Sequence, residues 1–378
     1  MTEKISCHVG LQQRVLPAYR VPFIEALGAA CVNGLSVFAG QPQNSEMIVS
    51  AERLNHAQIT RATNYHFSHP ASTFYLCLQA GILEWLEKQQ PDVLIIEANP
   101  RYLSNWRAVR WMHQKKRPVI GWGLGAPPIT GVFPNLRYRE RRTLIRQLDG
   151  VIAYSQRGAQ EYQSMGINPR AIYVASNAVS PKPQKPPIER PDTFIGKPNV
   201  LFVGRLQERK KIDNLLFACA KLPEMLKPKL VIVGDGPTRQ TWENLAQEVY
   251  PGAEFVGAKH GAELESYFNQ ADLFVLPGTG GLAVQQAMAY GLPVIVAQGD
   301  GTQDDLVRPS TPYQPGNGWI IIPNDVDALT AALMAALSDV SGLRQKGRES
   351  YRIVMDEVNV ENMVKVFLKA IKSVINKK

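Results

Sequence analysis

Hydrophobic residues along this chain gather into runs of four or five, bounded by Gly, Pro or Asp and separated by longer stretches of helical period. In the second half the runs are 200–203, 230–233, 253–256, 273–276, 293–296 and 318–322. Consecutive rather than alternating apolar positions mark strands covered on both faces, so the pattern predicts a parallel α/β sheet. The first half repeats it less cleanly at 35–38, 92–97, 118–121, 150–154 and 171–174, with helices expected over 22–30, 74–89 and 104–115. A last amphipathic stretch, 356–378, predicts a C-terminal helix.

The clearest interruption is 181–191, with five prolines in eleven residues and no hydrophobic period, which suits a linker. The chain therefore divides into an N-terminal Rossmann-like domain (1–180), a Pro-rich linker (181–198), a C-terminal domain (199–355) and the final helix (356–378). Two doubly wound α/β domains would face a central cleft at the carboxyl edges of their sheets, where ligands of such folds bind. A length of 378 residues is what two cores need.

Composition is that of a globular protein, 45% apolar and 20% charged. Four cysteines (Cys7, Cys31, Cys77, Cys219) sit at no metal-ligand spacing and read as reduced core thiols. Neither a signal-peptide core nor a membrane-length apolar window is found, so the expected location is cytoplasmic, with any contact at the inner membrane face peripheral. The net charge of +9 is unevenly placed: residues 1–180 hold 19 Lys/Arg against 11 Asp/Glu, and 181–378 hold 23 against 22. That asymmetry points to a polyanion met by the first half.

Three motifs of the second half carry chemistry. In 203–216 a strand ends in Gly204-Arg205, and the bases Arg209, Lys210 and Lys211 precede a helix; Arg binds diphosphate oxygens bidentately and Lys adds a point charge. Val233-Gly-Asp-Gly-Pro237 ends another strand in a glycine-flanked turn. Third, 276–293 runs from a strand through Pro277-Gly278-Thr279-Gly280-Gly281 into a helix opening near Leu282, whose free N–H groups would face a phosphate. The Gly-Lys-Ser/Thr ending of an NTPase phosphate loop is missing.

The order of these motifs, with Ala-Met-Ala-x-Gly-Leu-Pro at 287–293, Asn317-Gly318 and Pro323-Asn324-Asp325, resembles the donor domain of family-4 retaining glycosyltransferases of the GT-B fold, the glycosyl transferases group 1. The resemblance covers about 199–345. It implies a UDP- or GDP-sugar donor on the C-terminal domain, an acceptor on the N-terminal domain, a final helix crossing back to that domain, and no metal cofactor. Carried over, Arg205 and Lys210 correspond to the diphosphate-binding pair, with Lys211 as a substitute; Gly280, Gly281 and Leu282 supply backbone amides. The family's Glu-x7-Glu would begin at Gly278 and end at Gln286, so both carboxylates are absent. Gln286 would hold the ribose through its amide, while Thr279 and Gly280 would replace the lost sugar contact.

In the first half, Arg14 and Arg20 flank a proline-shaped loop after the first strand and are candidates for an acidic acceptor or the diphosphate. Glu97, at a strand's carboxyl end, is the candidate to orient an acceptor hydroxyl or take its proton, against an ion pair with Arg101 as the structural alternative. Trp122-Gly123 follows another strand and offers a stacking face and a close backbone approach. The donor-touching histidine that many relatives carry in this loop is absent. Arg137, Arg139, Arg141, Arg142 and Arg146 crowd into ten residues and suit an anionic membrane or a lipid-phosphate-linked acceptor. Without interleaved aromatics they do not suit nucleic acid.

The sequence thus predicts a hexosyl/glycosyltransferase moving a sugar from a nucleotide-sugar donor to a hydroxyl acceptor, probed against two alternatives: a catalytically silent sugar-nucleotide-binding protein, and a UDP-sugar epimerase of the same fold.

Overall fold

A computed structural model describes residues 3–46, 48–69, 72–280, 282–299, 301–312 and 314–376. The chain forms two compact units, Met1–Pro181 with Val360–Lys378, and Lys182–Asn359.

The first unit runs β1 (Val9–Val15), α1 (Val21–Ala30), β2 (Leu35–Gly40), β3 (Gln58–Phe67), β4 (Leu76–Ala80), α2 (Ile82–Gln89), β5 (Val93–Glu97), α3 (Leu103–Gln114), β6 (Val119–Gly123), α4 (Pro134–Ile145), β7 (Gly150–Ala153), α5 (Gln156–Ser164) and β8 (Ile172–Val174). These strands make one sheet ordered β4-β3-β2-β1-β5-β6-β7-β8, parallel except for the antiparallel β3–β4 edge pair. The strand order reverses between β1 and β5, as in doubly wound sheets. The expected helix over 74–89 is half strand. Residues 75, 77 and 79 are buried while 76 and 80 are exposed, a period of two, and Gly81 at φ +83° breaks the chain before α2 begins.

The second unit runs β9 (Asn199–Val203), α6 (Ile212–Ala220), β10 (Lys229–Val233), α7 (Arg239–Val249), β11 (Ala253–Gly257), α8 (Gly261–Gln270), β12 (Leu273–Leu276), α9 (Leu282–Ala289), β13 (Val294–Ala297), α10 (Thr302–Leu306), β14 (Gly318–Ile321), α11 (Val326–Ser338) and α12 (Val340–Asp356). Its sheet is wholly parallel, ordered β11-β10-β9-β12-β13-β14. Strands β12 and β13 are buried at every position, which is why they appear in the sequence as unbroken apolar runs. Asp325 and Asp339 cap α11 and α12, accepting from Ala328 N and Gly342 N.

The proline-rich segment packs onto the second unit rather than hanging free. Arg190 donates to the carbonyls of Phe268, Ala271 and Tyr290, at the C-terminal ends of α8 and α9. Arg344 Nε donates to the Pro191 carbonyl, and its Nη2 pairs with Asp272 at 2.8 Å. The final helix, α13 (Val360–Ile375), belongs to the first unit and lies against α1, β7 and β8. Phe367 on α13 packs edge-on to Phe23 and Trp122. Among the described residues no single helix is long and apolar enough to cross a membrane.

Candidate functional site

In the second unit the strands β10, β9 and β12 are neighbours, so the loops after them meet at one sheet edge. These loops carry the three motifs. The first two are joined through the backbone: Gly204 N donates to Val233 O at 3.0 Å and Leu206 N to Asp235 O at 2.9 Å. Gly234 makes this approach achievable, since at φ +147° a Cβ would lie 1.9 Å from the Gly204 carbonyl oxygen.

The first and third loops are joined more tightly. Thr279 N donates to Arg209 O at 3.0 Å. Lys210, in the one-turn 3-10 segment Glu208–Lys210, is only 8% exposed, and its Nζ donates to Thr279 O at 2.7 Å. Arg209 Nη1 reaches the same oxygen at 3.3 Å. Burial, and after it the adjacent Arg209 charge, brings the Lys210 ammonium down to about 8. The expectation that Thr279 offers its backbone amide to a sugar is corrected, because that N–H is spent on Arg209. Lys210 likewise does not stand open to a diphosphate: it is the inner clamp of the glycine loop.

Gly278 explains the missing first carboxylate. A Cβ there would lie 2.1 Å from Arg209 O and 2.6 and 2.7 Å from Lys210 C and Cα, so the backbone of 209–210 occupies the place of any side chain. Gln303 on α10, 1% exposed, holds the loop from the other side, its Nε2 donating to Gly278 O at 3.2 Å. No spacing signal marked Gln303. Arg205 and Lys211 are half-buried beside this loop pair, and Lys211 takes φ +54° just before α6. Gly280, at φ +103°, precedes α9, which opens at Leu282 and carries half-buried Gln286; Gly281 lies outside the described residues.

The first unit gathers its candidates at the carboxyl ends of β1, β5, β6 and β7. Glu97 ends β5, and one carboxyl oxygen accepts the Arg14 backbone N–H at 2.5 Å. Burial pushes this carboxyl above the usual carboxylate range, against the pull of that N–H and of the Arg20 and Arg14 charges. The Arg101 ion pair does not form. Instead Arg14 pairs bidentately with Glu46, at 2.6 and 2.9 Å, which occupies the fork assigned to a ligand.

Two further expectations are corrected here. Trp122 is fully buried among Phe23, Tyr154 and Phe367, so it presents no stacking face to a sugar. Arg20, 7% exposed, lies over that indole with Cζ 4.1 Å from the ring centroid and donates to Tyr154 Oη at 2.7 Å. It is a cation–π core residue, not an open anion ligand. Gly123 remains half-exposed and lines, with Glu97, Asn99 and Tyr102, a cavity of about 360 Å³. Arg139 and Arg142 on α4 are exposed, whereas Arg137 and Arg141 are half-buried and donate to loop carbonyls of Thr130 and Pro127.

Residues 187–352 match the family described as glycosyl transferases group 1. Over 154 residues, 40% of this chain, it is 38% identical to a GDP-mannose-dependent alpha-mannosyltransferase of Mycolicibacterium smegmatis; over 146 residues, 38% of the chain, it is 33% identical to sulfoquinovosyl transferase SQD2 of Arabidopsis thaliana. The matched segment spans 36% and 27% of those relatives' own lengths. Among solved structures, sucrose-phosphate synthase from Thermosynechococcus elongatus superimposes with a TM-score of 0.73 at 20% identity, covering 98% of this chain and all of that one. HepE of Anabaena in complex with UDP gives 0.72 at 15% identity over 98% of this chain and all of that one. The family match is carried by residues 187–352, and the architecture is the GT-B fold of two Rossmann-like α/β domains.

Proposed function

We propose that the chain is a glycosyltransferase that moves a sugar, with retention, from a UDP- or GDP-sugar to a hydroxyl of a glycan or lipid-linked glycan. The observation that carries this is the meeting of the three loops after β9, β10 and β12, which brings Arg205 and the start of α9 to the sheet edge where such folds take nucleotides. Relatives named for GDP-mannose and a structural neighbour bound to UDP support a nucleotide-linked donor.

In the reaction the bond from the anomeric carbon to the diphosphate oxygen breaks with its electron pair on the diphosphate. The acceptor oxygen forms the new bond and loses its proton. Arg205 neutralises the leaving group bidentately, the N–H groups at Leu282 and Gly280 add hydrogen bonds, and Lys210 contributes positive field from beneath the loop. Charge placed in advance on the leaving group serves in place of a metal. Gln286 holds the ribose hydroxyls, and Glu97, its proton affinity raised by burial, orients or deprotonates the acceptor.

The space filled at Gly278 favours one second reading, a protein that binds sugar nucleotides without turning them over. UDP- and GDP-sugars are expected to raise the thermal midpoint and to be slowly hydrolysed, and Arg205→Ala is expected to remove the stabilisation. Stabilisation with no hydrolysis and no transfer establishes the silent reading; an undiminished shift in Arg205→Ala refutes the donor site.

A further inference from the structure

Two cavities of the first unit share a wall. One is the polar cavity of about 360 Å³ at the ends of β5 and β6 that contains Glu97 and Gly123. The other, about 280 Å³, is an apolar groove between edge strand β4 and helix α4, lined by Phe74, Leu76, Ile129, Phe133 and Leu136. Pro100, Arg101 and Arg141 line both.

The groove's side chains are left open to solvent at some cost: Phe133 is 65% exposed, Phe74 58% and Leu136 57%. Apolar surface this concentrated, rimmed by charge, marks an interaction site. The rim is basic. The Arg101 guanidinium has no hydrogen-bond or ion-pair partner among the described residues, and Arg141 makes one hydrogen bond, from Nη1 to Pro127 O at 2.5 Å. Glu140 is the carboxylate that lines the groove, and it forms no ion pair among the described residues. Burial, with the nearby Arg101 and Arg137 charges, holds Arg141 below the ordinary arginine value against the opposing pull of Tyr162 and Glu161, so the guanidiniums at the shared wall repel one another. In the polar cavity's wall the Trp122 Nε1 is buried without a partner among the described residues.

We propose that the two cavities are one bipartite acceptor site for an anionic amphiphile: an apolar chain in the β4–α4 groove, its phosphate between Arg101 and Arg141, and its hydroxyl-bearing head toward Glu97. This rests on the glycosyltransferase reading and names the acceptor class, a lipid phosphate or lipid-phosphate-linked sugar. The charge complementarity of two arginines to a phosphate, at the point where apolar lining gives way to polar, selects a single amphiphile over a bare anion.

The test uses the full chain and farnesyl phosphate, kept below its aggregation threshold, followed by calorimetry. Binding is expected, with farnesol and inorganic phosphate each at least about tenfold weaker, because each lacks half of the contacts. The double variant Arg101→Ala/Arg141→Ala should lose about tenfold or more and bind farnesol and farnesyl phosphate alike. Phe133→Ser/Leu136→Ser, at exposed positions where folding is spared, should weaken both prenyl probes. None of these variants should change UDP or GDP binding, so failure of nucleotide binding refutes the donor reading alone. Inorganic phosphate binding as tightly as farnesyl phosphate overturns the amphiphile. Capture by phosphatidylglycerol vesicles without binding of the monomeric probe overturns it in favour of a membrane surface, and no binding of any probe overturns it outright.

Discussion

The clamp at Lys210 makes nucleotide affinity depend on pH in a defined window. Its ammonium is 8% exposed, sits against the Thr279 carbonyl, and titrates near 8 against an ordinary 10.5. If the charged form alone supports diphosphate binding, the competent fraction is about 0.9 at pH 7 and about 0.1 at pH 9, a fall of about tenfold in UDP or GDP affinity. A terminal phosphate titrates near 6, so the ligand's diphosphate charge is constant across that window. Calorimetry in buffers of different ionisation enthalpy should show proton uptake on binding that rises from about 0.1 per site at pH 7 through about 0.5 at pH 8 to about 0.9 at pH 9.

Stability moves in the opposite direction. Because the folded-state value is depressed, the unfolded chain holds the extra proton between pH 8 and 10.5, and folding gains as pH rises through that interval. Below pH 8 the buried charge costs about 3 kcal/mol, from a shift of about 2.5 units at about 1.4 kcal/mol each. Lys210→Met keeps the stem and removes the charge. It is expected to unfold later than wild type at pH 7, by about 2 kcal/mol after the lost hydrogen bond, to converge with it toward pH 10, and to bind nucleotide weakly with no slope between pH 7 and 9. Wild-type affinity that is flat over this range, or the same slope in Lys210→Met, refutes the assignment.

Restoring the family carboxylate with Gly278→Glu should not rescue sugar recognition; it should cost about 3 kcal/mol or more, seen as a lowered thermal midpoint with weakened nucleotide binding, because the new Cβ meets backbone at 2.1 Å. Arg190→Ala should destabilise the chain by about 3 kcal/mol in thermal unfolding by orphaning carbonyls at the ends of α8 and α9, and Arg190→Lys should not restore it, since one ammonium cannot serve three carbonyls. Trp122→Ala should cost about 3–5 kcal/mol and leave UDP affinity unchanged, the mark of a packing residue rather than a sugar platform.

What was legible in the sequence was whatever local pattern dictates. Strands such as β9, β12 and β13 are buried on both faces and so announce themselves as apolar runs. The loops after them follow immediately in the chain, which is why Arg205 and the glycines could be assigned to one edge. Strand β3 has no apolar run to mark it, because it lies near the sheet's margin, half-covered, with Gln58, Thr60, Arg61 and Asn64 among its residues. Long-range packing defeated the side-chain assignments. Trp122 stands just where a sugar platform would stand, yet Phe367 arrives from the far end of the chain and Arg20 from before α1 to cover it. Arg14 was a free fork until Glu46 folded against it.

The same contrast bears on how the absent carboxylate is understood. Judged from spacing, Gly278 is a loss at the catalytic motif and Lys210 a retained diphosphate ligand, two independent facts with opposite implications for function. The geometry makes them one. The backbone of Arg209 and Lys210 comes within 3 Å of where a Cβ on residue 278 would stand, and only that approach lets the Lys210 Nζ and the Arg209 guanidinium reach the Thr279 carbonyl while Thr279 N returns to Arg209 O. A side chain at 278 would push the 3-10 turn away and break all three links. The glycine is therefore required by the buried lysine, and the lysine's depressed titration is a consequence of the same closeness. Recovering the family's carboxylate would take at least two coordinated changes, a residue at 278 and an outward shift of the 208–210 turn, because each alone conflicts with the packing that the other creates.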